Sequence, residues 1–374
     1  MKTEPLFRIV KRDDHKPGRQ ALAYLAAVVL ALFIGALLLL SLDVNPLEFY
    51  QRIITLGIPG NRYPGRIVEN FIKLFVPLLI TSLALALAFK MRFWNIGGEG
   101  QFIMGAIFAG VAALKLGDTL PQPLMVLVMA LCGLVGGGLY GGFVAALKVR
   151  FNTNETLLTL MLNYVALYLL RFLGETKGDW NFFLDPDSAR PKFIKFPENA
   201  NMITFDLGGF HLNLSLIIAL LLCVLVFIYL RYTKHGYEIS VVGDSPNTAR
   251  YSGMRVGKIV VRTIFLSAAL IGMAGAFSVS SAGILSGSVT NNVGWTGIVV
   301  AWLSKLNTLG IVVTSFFITM LRFGCQNAST TYSAIDGNFA DLIQGIILFS
   351  VLAADFFTRF KLVHRAKTQK EAAK

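Results

Sequence analysis

The side chains able to do chemistry in this chain are sparse and sit in polar breaks between apolar runs. The densest group is HGYEISVVGDSPNTARYSGMRVGK, His235–Lys258. Ser245 suits an N-cap, Pro246 the first helical position and Gly253 a left-handed exit. The spacing predicts a short helix over Pro246–Ser252, polar and water-facing between two membrane spans. One reading is a docking element, with Tyr251 as apolar anchor, Arg250 as polar anchor, and Gly243, Ser245, Pro246, Ala249 and Gly253 shaping it. The other is a solvated connector whose charges only set topology. GMRVGKI, Gly253–Ile259, comes nearest to a phosphate-binding loop, but it is one residue short and has Ile where Ser or Thr must hold magnesium. Any ATP hydrolysis therefore belongs to another chain.

A second group is NIGGEGQF, Asn95–Phe102, with Asn95, Glu99 and Gln101 at the mouth of an apolar run. A charge there is costly and marks a functional candidate. Glu99 either faces a solute pathway or braces Arg92 or Lys90. In FNTNETLLTLMLNY, Phe151–Tyr164, Asn152 and Glu155 have capping-box spacing, which predicts a helix start. Asn163 and Tyr164 fall mid-span, where an amide and a phenol either bond neighbouring helices or line a polar pathway for a hydroxylated or heterocyclic solute. Trp295, Gln344 and Asn327 are further candidates. The four histidines, His15, His211, His235 and His364, are scattered, and no metal or nucleophile constellation is visible.

These groups need apolar helices to position them. Hydrophobic residues make up 55% of the chain and charged residues 15%, well under the about 25% of soluble domains. Apolar runs near the about 20 residues that cross a bilayer recur along the chain. The fold class is all-α and polytopic, with about ten transmembrane segments. The runs are 21–42, 71–89, 96–114, 124–147, 156–173, 214–230 and 262–282, then the short 295–303 and 309–321, and finally 339–357. The first is too long for a signal-peptide core and is expected to stay as a span. Residues 295–303 would reach only about 14 Å as helix, and short pieces at membrane depth need protein or a water-filled cavity around them. The membrane-spanning body is 21–358, with an outer loop near 174–213 and an inner loop near 231–261, flanked by basic tails at 1–20 and 359–374.

The net charge of +13 comes from those tails and the inner loop. In the outer loop Lys177, Arg190, Lys192 and Lys195 are outnumbered by acids. This is the positive-inside pattern; it places both termini in the cytoplasm and makes nucleic acid an unneeded partner. Cys132, Cys223 and Cys325 cannot all pair and are expected to be buried thiols. FWNIGG (Phe93–Gly98) and VGWTGI (Val293–Ile298) open corresponding spans from opposite sides, so residues 71–173 and 262–357 read as inverted repeats with the solute path between them.

In this order and spacing, FWNIGGEGQF, NETLLTLMLNY, GYEISVVGDSPNTARYSGM, GWTGIVVAWLSKLNTLG and LIQGIILF resemble the permease subunits of bacterial ABC importers for nucleosides, simple sugars and branched-chain amino acids, over about Phe71–Phe357. NETLLTLMLNY and the stretch before the second span look most like the nucleoside branch. The resemblance implies a type II importer fold in the bacterial inner membrane. It also implies a second permease subunit (a heterodimer), an ATPase subunit carrying ATP and magnesium, an extracytoplasmic substrate-binding protein and no cofactor on this chain. It places the coupling loop at Gly236–Gly257, and the solute as a nucleoside, with riboflavin or ribose as alternatives. Ile239 and Ser240 stand where the family usually has Arg-Ala, and Ser304 and Lys305 where an Arg often follows, which weakens the solute assignment rather than the fold. A transporter of another class, driven by an ion gradient through Glu99, stays open.

Overall fold

The computed structural model describes residues 7–11, 17–59, 63–207, 210–330, 332, 335 and 338–364. In chain order they form β1 (Phe7–Lys11), α1 (Pro17–Ser41), α2 (Pro46–Ile54), α3 (Pro64–Lys90), α4 (Gly98–Leu116), α5 (Gln122–Phe151) and α6 (Glu155–Glu175). After a long loop come β2 (Thr204–Leu207), β3 (Phe210–Asn213), α7 (Leu214–Tyr232), α8 (Lys234–Asp244), α9 (Pro246–Tyr251) and α10 (Val256–Ala282). The chain ends with α11 (Val293–Leu303), α12 (Thr308–Ser329), α13 (Asn338–Arg359) and β4 (Phe360–His364). Among the described residues nine helices are long and apolar enough to span a membrane, and α11 is a shorter apolar helix. The all-α, polytopic expectation of about ten segments holds, with two small antiparallel ribbons added.

Several local expectations needed correction. The run 309–321 is not short. Its helix continues through Arg322 and Asn327 to Ser329, because these polar side chains find partners: Arg322 Nε lies 3.6 Å from Asp341 and Asn327 Nδ2 donates to the Leu56 carbonyl at 3.1 Å. The turn-rich stretch before the second span contains α2, started by Asn45, whose side chain accepts from Leu47 N–H, and by Pro46. Asn152 does not cap α6. It closes α5 in the left-handed conformation, and Asn154 caps α6 by accepting from Leu157 N–H. Glu155 instead pairs with Lys148 at 2.8 Å. The single helix expected in the inner loop is preceded by another, α8.

The chain divides into two compact units, residues 1–59 with 321–374, and residues 60–320. In the first, α1 packs on α13, and Phe49 is fully buried with its ring edge-on to Phe339 at 5.7 Å. β1 pairs antiparallel with β4, from Phe7 opposite His364 to Lys11 opposite Phe360. These strands bring residues 7–11 beside 360–364; Lys2, Arg12, Lys16 and the basic residues beyond His364 fall outside the described residues.

In the second unit, burial separates centre from rim. The apolar window of α3 is 89% buried and that of α10 72%, against 28% for α6 and 22% for α7. α4, α5 and α10 meet along small residues, including Gly105, Gly137, Ala268 and Gly272, which let backbones approach closely. α4 packs on α10 while α11 packs on α3. Each shorter helix thus lies on the long first helix of the other hairpin, the exchange a two-fold relation between hairpins produces. α3 ends against α8, whereas α10 ends against the loop before α7: Phe196 N–H donates to the Gly283 carbonyl at 2.8 Å and Ser280 Oγ to the Ala200 carbonyl at 2.8 Å. α3 and α10 thus run in opposite directions. Cys223 and Cys325 are buried, Cys132 is half-buried, and all three are free thiols.

Candidate functional site

The first helical turn leaves up to four backbone N–H groups without intrahelical partners, a serious cost in an apolar interior. At the start of α4 that cost is offset by side chains. Ile96 N–H donates to Thr159 Oγ1 at 3.2 Å, Gly97 N–H to Asn95 Oδ1 at 3.1 Å, and Gly100 N–H to Asn163 Oδ1 at 2.8 Å. Asn163 Nδ2 returns a bond to the Ile96 carbonyl at 2.8 Å. The Asn95 and Gln101 amides bond reciprocally, at 3.0 and 3.1 Å. Asn95 is fully buried, and Gln101 and Thr159 are almost so. These amides therefore stitch a helix start to α6.

The start of α11 meets the same place. Asn292 before it is left-handed and its side chain makes no capping bond. Instead Glu99 Oε1, from the first turn of α4, accepts from Gly294 N–H at 2.9 Å and weakly from Trp295 N–H at 3.4 Å. One carboxylate, 7% exposed, thus lies at the positive ends of two helices, which offsets part of its desolvation. The approach requires glycine on both sides. A Cβ on Gly98 would sit 3.2 Å from Gly294 Cα, and one on Gly294 would sit 2.4 Å from the Glu99 nitrogen.

The other expected pathway residues are placed differently. Trp295 adjoins the junction with its side chain partly exposed, and Tyr164, next to Asn163 in sequence, is half exposed. Gln344 belongs to the first unit, where it is buried and its Oε1 has no hydrogen-bond partner among the described residues. Thr159 was missed in sequence reasoning, although it lies one turn before Asn163 on the same helix face. Also missed was an aromatic cluster in which Trp94 stacks on Trp302 at 5.4 Å and Phe89 leans on both. No sequence signal joins residues so far apart.

At the basic end, Ser245 Oγ accepts from Thr248 N–H at 3.2 Å and Pro246 takes the first helical position of α9. Gly253, at φ +77°, closes it: Gly253 N–H bonds the Arg250 carbonyl and Met254 N–H the Ala249 carbonyl, both at 3.0 Å. This is a Schellman closure. Ala249 is fully buried on the inner face, whereas Tyr251 is 93% exposed and Arg250 is exposed. Gly243 of α8 presses on the α3 end, where a Cβ would come 2.3 Å from the Lys90 carbonyl. Glu238 of α8 binds Arg262 of α10 at 2.8 Å, and that bond holds the Glu238 carboxyl below its usual range. No group of His, Cys, Asp and Glu among the described residues could hold a metal ion.

Residues 67–352 match the family described as branched-chain amino acid transport system / permease component, and the chain belongs to that family. It is a multi-pass membrane transport subunit. The chain is 26% identical to the nucleoside ABC transporter permease protein NupB of Lactococcus lactis, over 89% of its own length and 91% of that protein's. It is 28% identical to the guanosine ABC transporter permease protein NupP of Bacillus subtilis, over 94% and 97%. With the glucose ABC transporter permease protein TsgB13 of Haloferax volcanii it shares 25% identity over 92% of each. No solved structure matches the chain.

Proposed function

We propose that this chain is the permease subunit of an ATP-binding cassette importer of the bacterial inner membrane. It moves a nucleoside inward by alternating access, with its termini and the α8–α9 loop in the cytoplasm. The observation that carries the coupling role is α9: a helix capped at both ends, buried at Ala249, and presenting Tyr251 almost wholly to water. An aromatic held out on an ordered helix is the anchor that a partner's pocket requires. ATP and magnesium reside on that partner ATPase, a second permease completes the path, and an extracytoplasmic protein delivers the solute.

Within the membrane, the α4–α11 junction is the part that reshapes. Two states differ there only if the solute or the ATPase contacts them differently; Asn95, Glu99, Gln101, Asn163 and Trp295 are the residues that register the difference, and Tyr164 and Gln344 are further pathway residues. The nucleoside assignment is supported by relatives named for nucleosides and for guanosine along nearly the whole chain. The relative named for glucose favours a sugar as the second reading. Reconstitution of the chain with its co-purifying subunits decides between them. ATP-dependent uptake of labelled guanosine, competed by other nucleosides but by neither glucose nor riboflavin, is expected. Uptake that collapses with an uncoupler yet survives ATP depletion would sink the importer reading, and competition by glucose alone would sink the nucleoside.

A further inference from the structure

A cavity of about 1370 Å³ opens at the basic end of the second unit, lined by the segment just after α3, the last turn of α5, the start of α6, the end of α7, α8, α9 and the first turns of α10. It exceeds the about 300–1,000 Å³ usual for small-solute sites. Its lining has two halves. One is basic: Arg92, Lys148, Arg250, Arg255, Lys258 and Arg262 all line it. Two of these are answered, Lys148 by Glu155 and Arg262 by Glu238, each at 2.8 Å. Arg92, Arg255 and Lys258 are exposed and have no ion pair among the described residues. The other half is apolar, formed by Val149, Val260, Val261, Phe265 and Leu266, and Val149 and Phe265 are exposed by 45% and 41%.

A soluble phosphate ester would satisfy the cations and leave the apolar wall wet. A protein segment with acidic side chains would need to enter between spans. An amphiphile with one negative headgroup satisfies both halves at once, and the site lies where apolar spans give way to basic loops. We infer that this cavity is a binding site for an anionic phospholipid of the inner leaflet, its phosphate held by Arg255, Lys258 and Arg92 and its acyl chains lying on Val149, Phe265 and Leu266. The site takes its leaflet from the topology proposed above, but its lipid preference does not depend on the solute or on coupling. Bound there, the lipid touches α9 through Arg250 and Pro246, so headgroup charge bears on the docking helix.

The full chain with its co-purifying subunits is exchanged in mild detergent against phosphatidylglycerol or phosphatidylcholine of matched acyl chains. Retained lipid is then counted by native mass spectrometry. Phosphatidylglycerol is expected to be retained in preference. The double variant Arg255→Gln/Lys258→Gln, whose positions are exposed, should lower that preference about fivefold per charge removed, about twenty-five-fold together. Arg171→Gln, on the exposed face of α6, should leave it unchanged. Equal retention of the two lipids, or a double variant that behaves as wild type, overturns the proposal. So does displacement of phosphatidylglycerol by excess inorganic phosphate or AMP, which would mark a site for a soluble phosphate ester.

Discussion

Glu99 is a carboxylate among apolar helices, and such a charge persists only where something answers it. The sequence singled it out and offered a pathway role or a brace to Lys90 or Arg92. Its observed bond to Gly294 N–H, 195 residues away, adds a third role, a cap supplied from another helix. Glu99→Ala would leave a buried N–H without a partner, at a cost of about 1–3 kcal/mol. Glu99→Gln keeps an acceptor and loses the charge, so it should recover part of that cost. Thermal unfolding of the detergent-purified complex checks this. A Glu99→Ala protein that unfolds like wild type while losing uptake would make Glu99 a solute contact instead of a cap. Asn163 and Tyr164 teach a related lesson. Both looked polar and mid-span, but adjacent helical residues point about 100° apart. The amide reaches α4, the phenol is half exposed, and only the neighbours of α6 determine which face is inward.

At the scale of elements, α9 was legible because its signals are local: a cap, a proline and a glycine within nine positions. Gly253 has open space around its Cα, so its requirement is conformational alone. Gly253→Val should therefore uncouple uptake from ATP hydrolysis by straining the exit by about 1–2 kcal/mol, whereas Gly253→Asn, which tolerates φ > 0, should transport nearly as wild type. Equal uptake by both variants would remove the docking role from α9. α8 was not foreseen, although Thr233 caps it locally by accepting from Gly236 N–H at 3.2 Å; its tertiary ties give no local signal. The main one is Glu238 to Arg262. The folded-state pKa of Glu238 is depressed, so this tie contributes fully above the unfolded carboxyl value near 4.5 and is lost as pH falls through the lower folded value. The unfolding midpoint of Glu238→Gln should thus lie below wild type by a constant amount above about pH 5, and the gap should narrow as the pH is lowered below that. A gap that stays constant across that range would remove the ion pair as its cause. Asn152 misled for the opposite reason: two asparagines compete for one helix start, and the chain turn at the end of α5 gives the cap to Asn154.

For the whole molecule, length and hydropathy were enough to find the spans, though not the full length of α12, because a bilayer imposes one thickness on every crossing helix. The positions of Lys and Arg were enough to gather the loop between α7 and α10 and the ends of α3 and α5 at one end, where the cavity lining now brings them together. Neither signal ranks the helices. α7 has the higher hydropathy, 2.7 against 2.2 for α3, yet α3 is the buried centre and α7 the rim. Lipid tails and helix interiors are equally apolar, so composition cannot tell a lipid-facing leucine from a packed one. What distinguishes the centre is shape, the glycine and alanine seam of α4, α5 and α10. The caps of α2 and α9 and the shortness of α11 are local chain properties, readable wherever the two or three residues involved are neighbours. The meeting of Gly98 with Gly294, the Trp94–Trp302 stack and the Glu238–Arg262 tie join residues tens to hundreds of positions apart. Such contacts arise only once two hairpins cross, because the free energy that selects them comes from close packing and from burying polar groups together, and no single segment carries it.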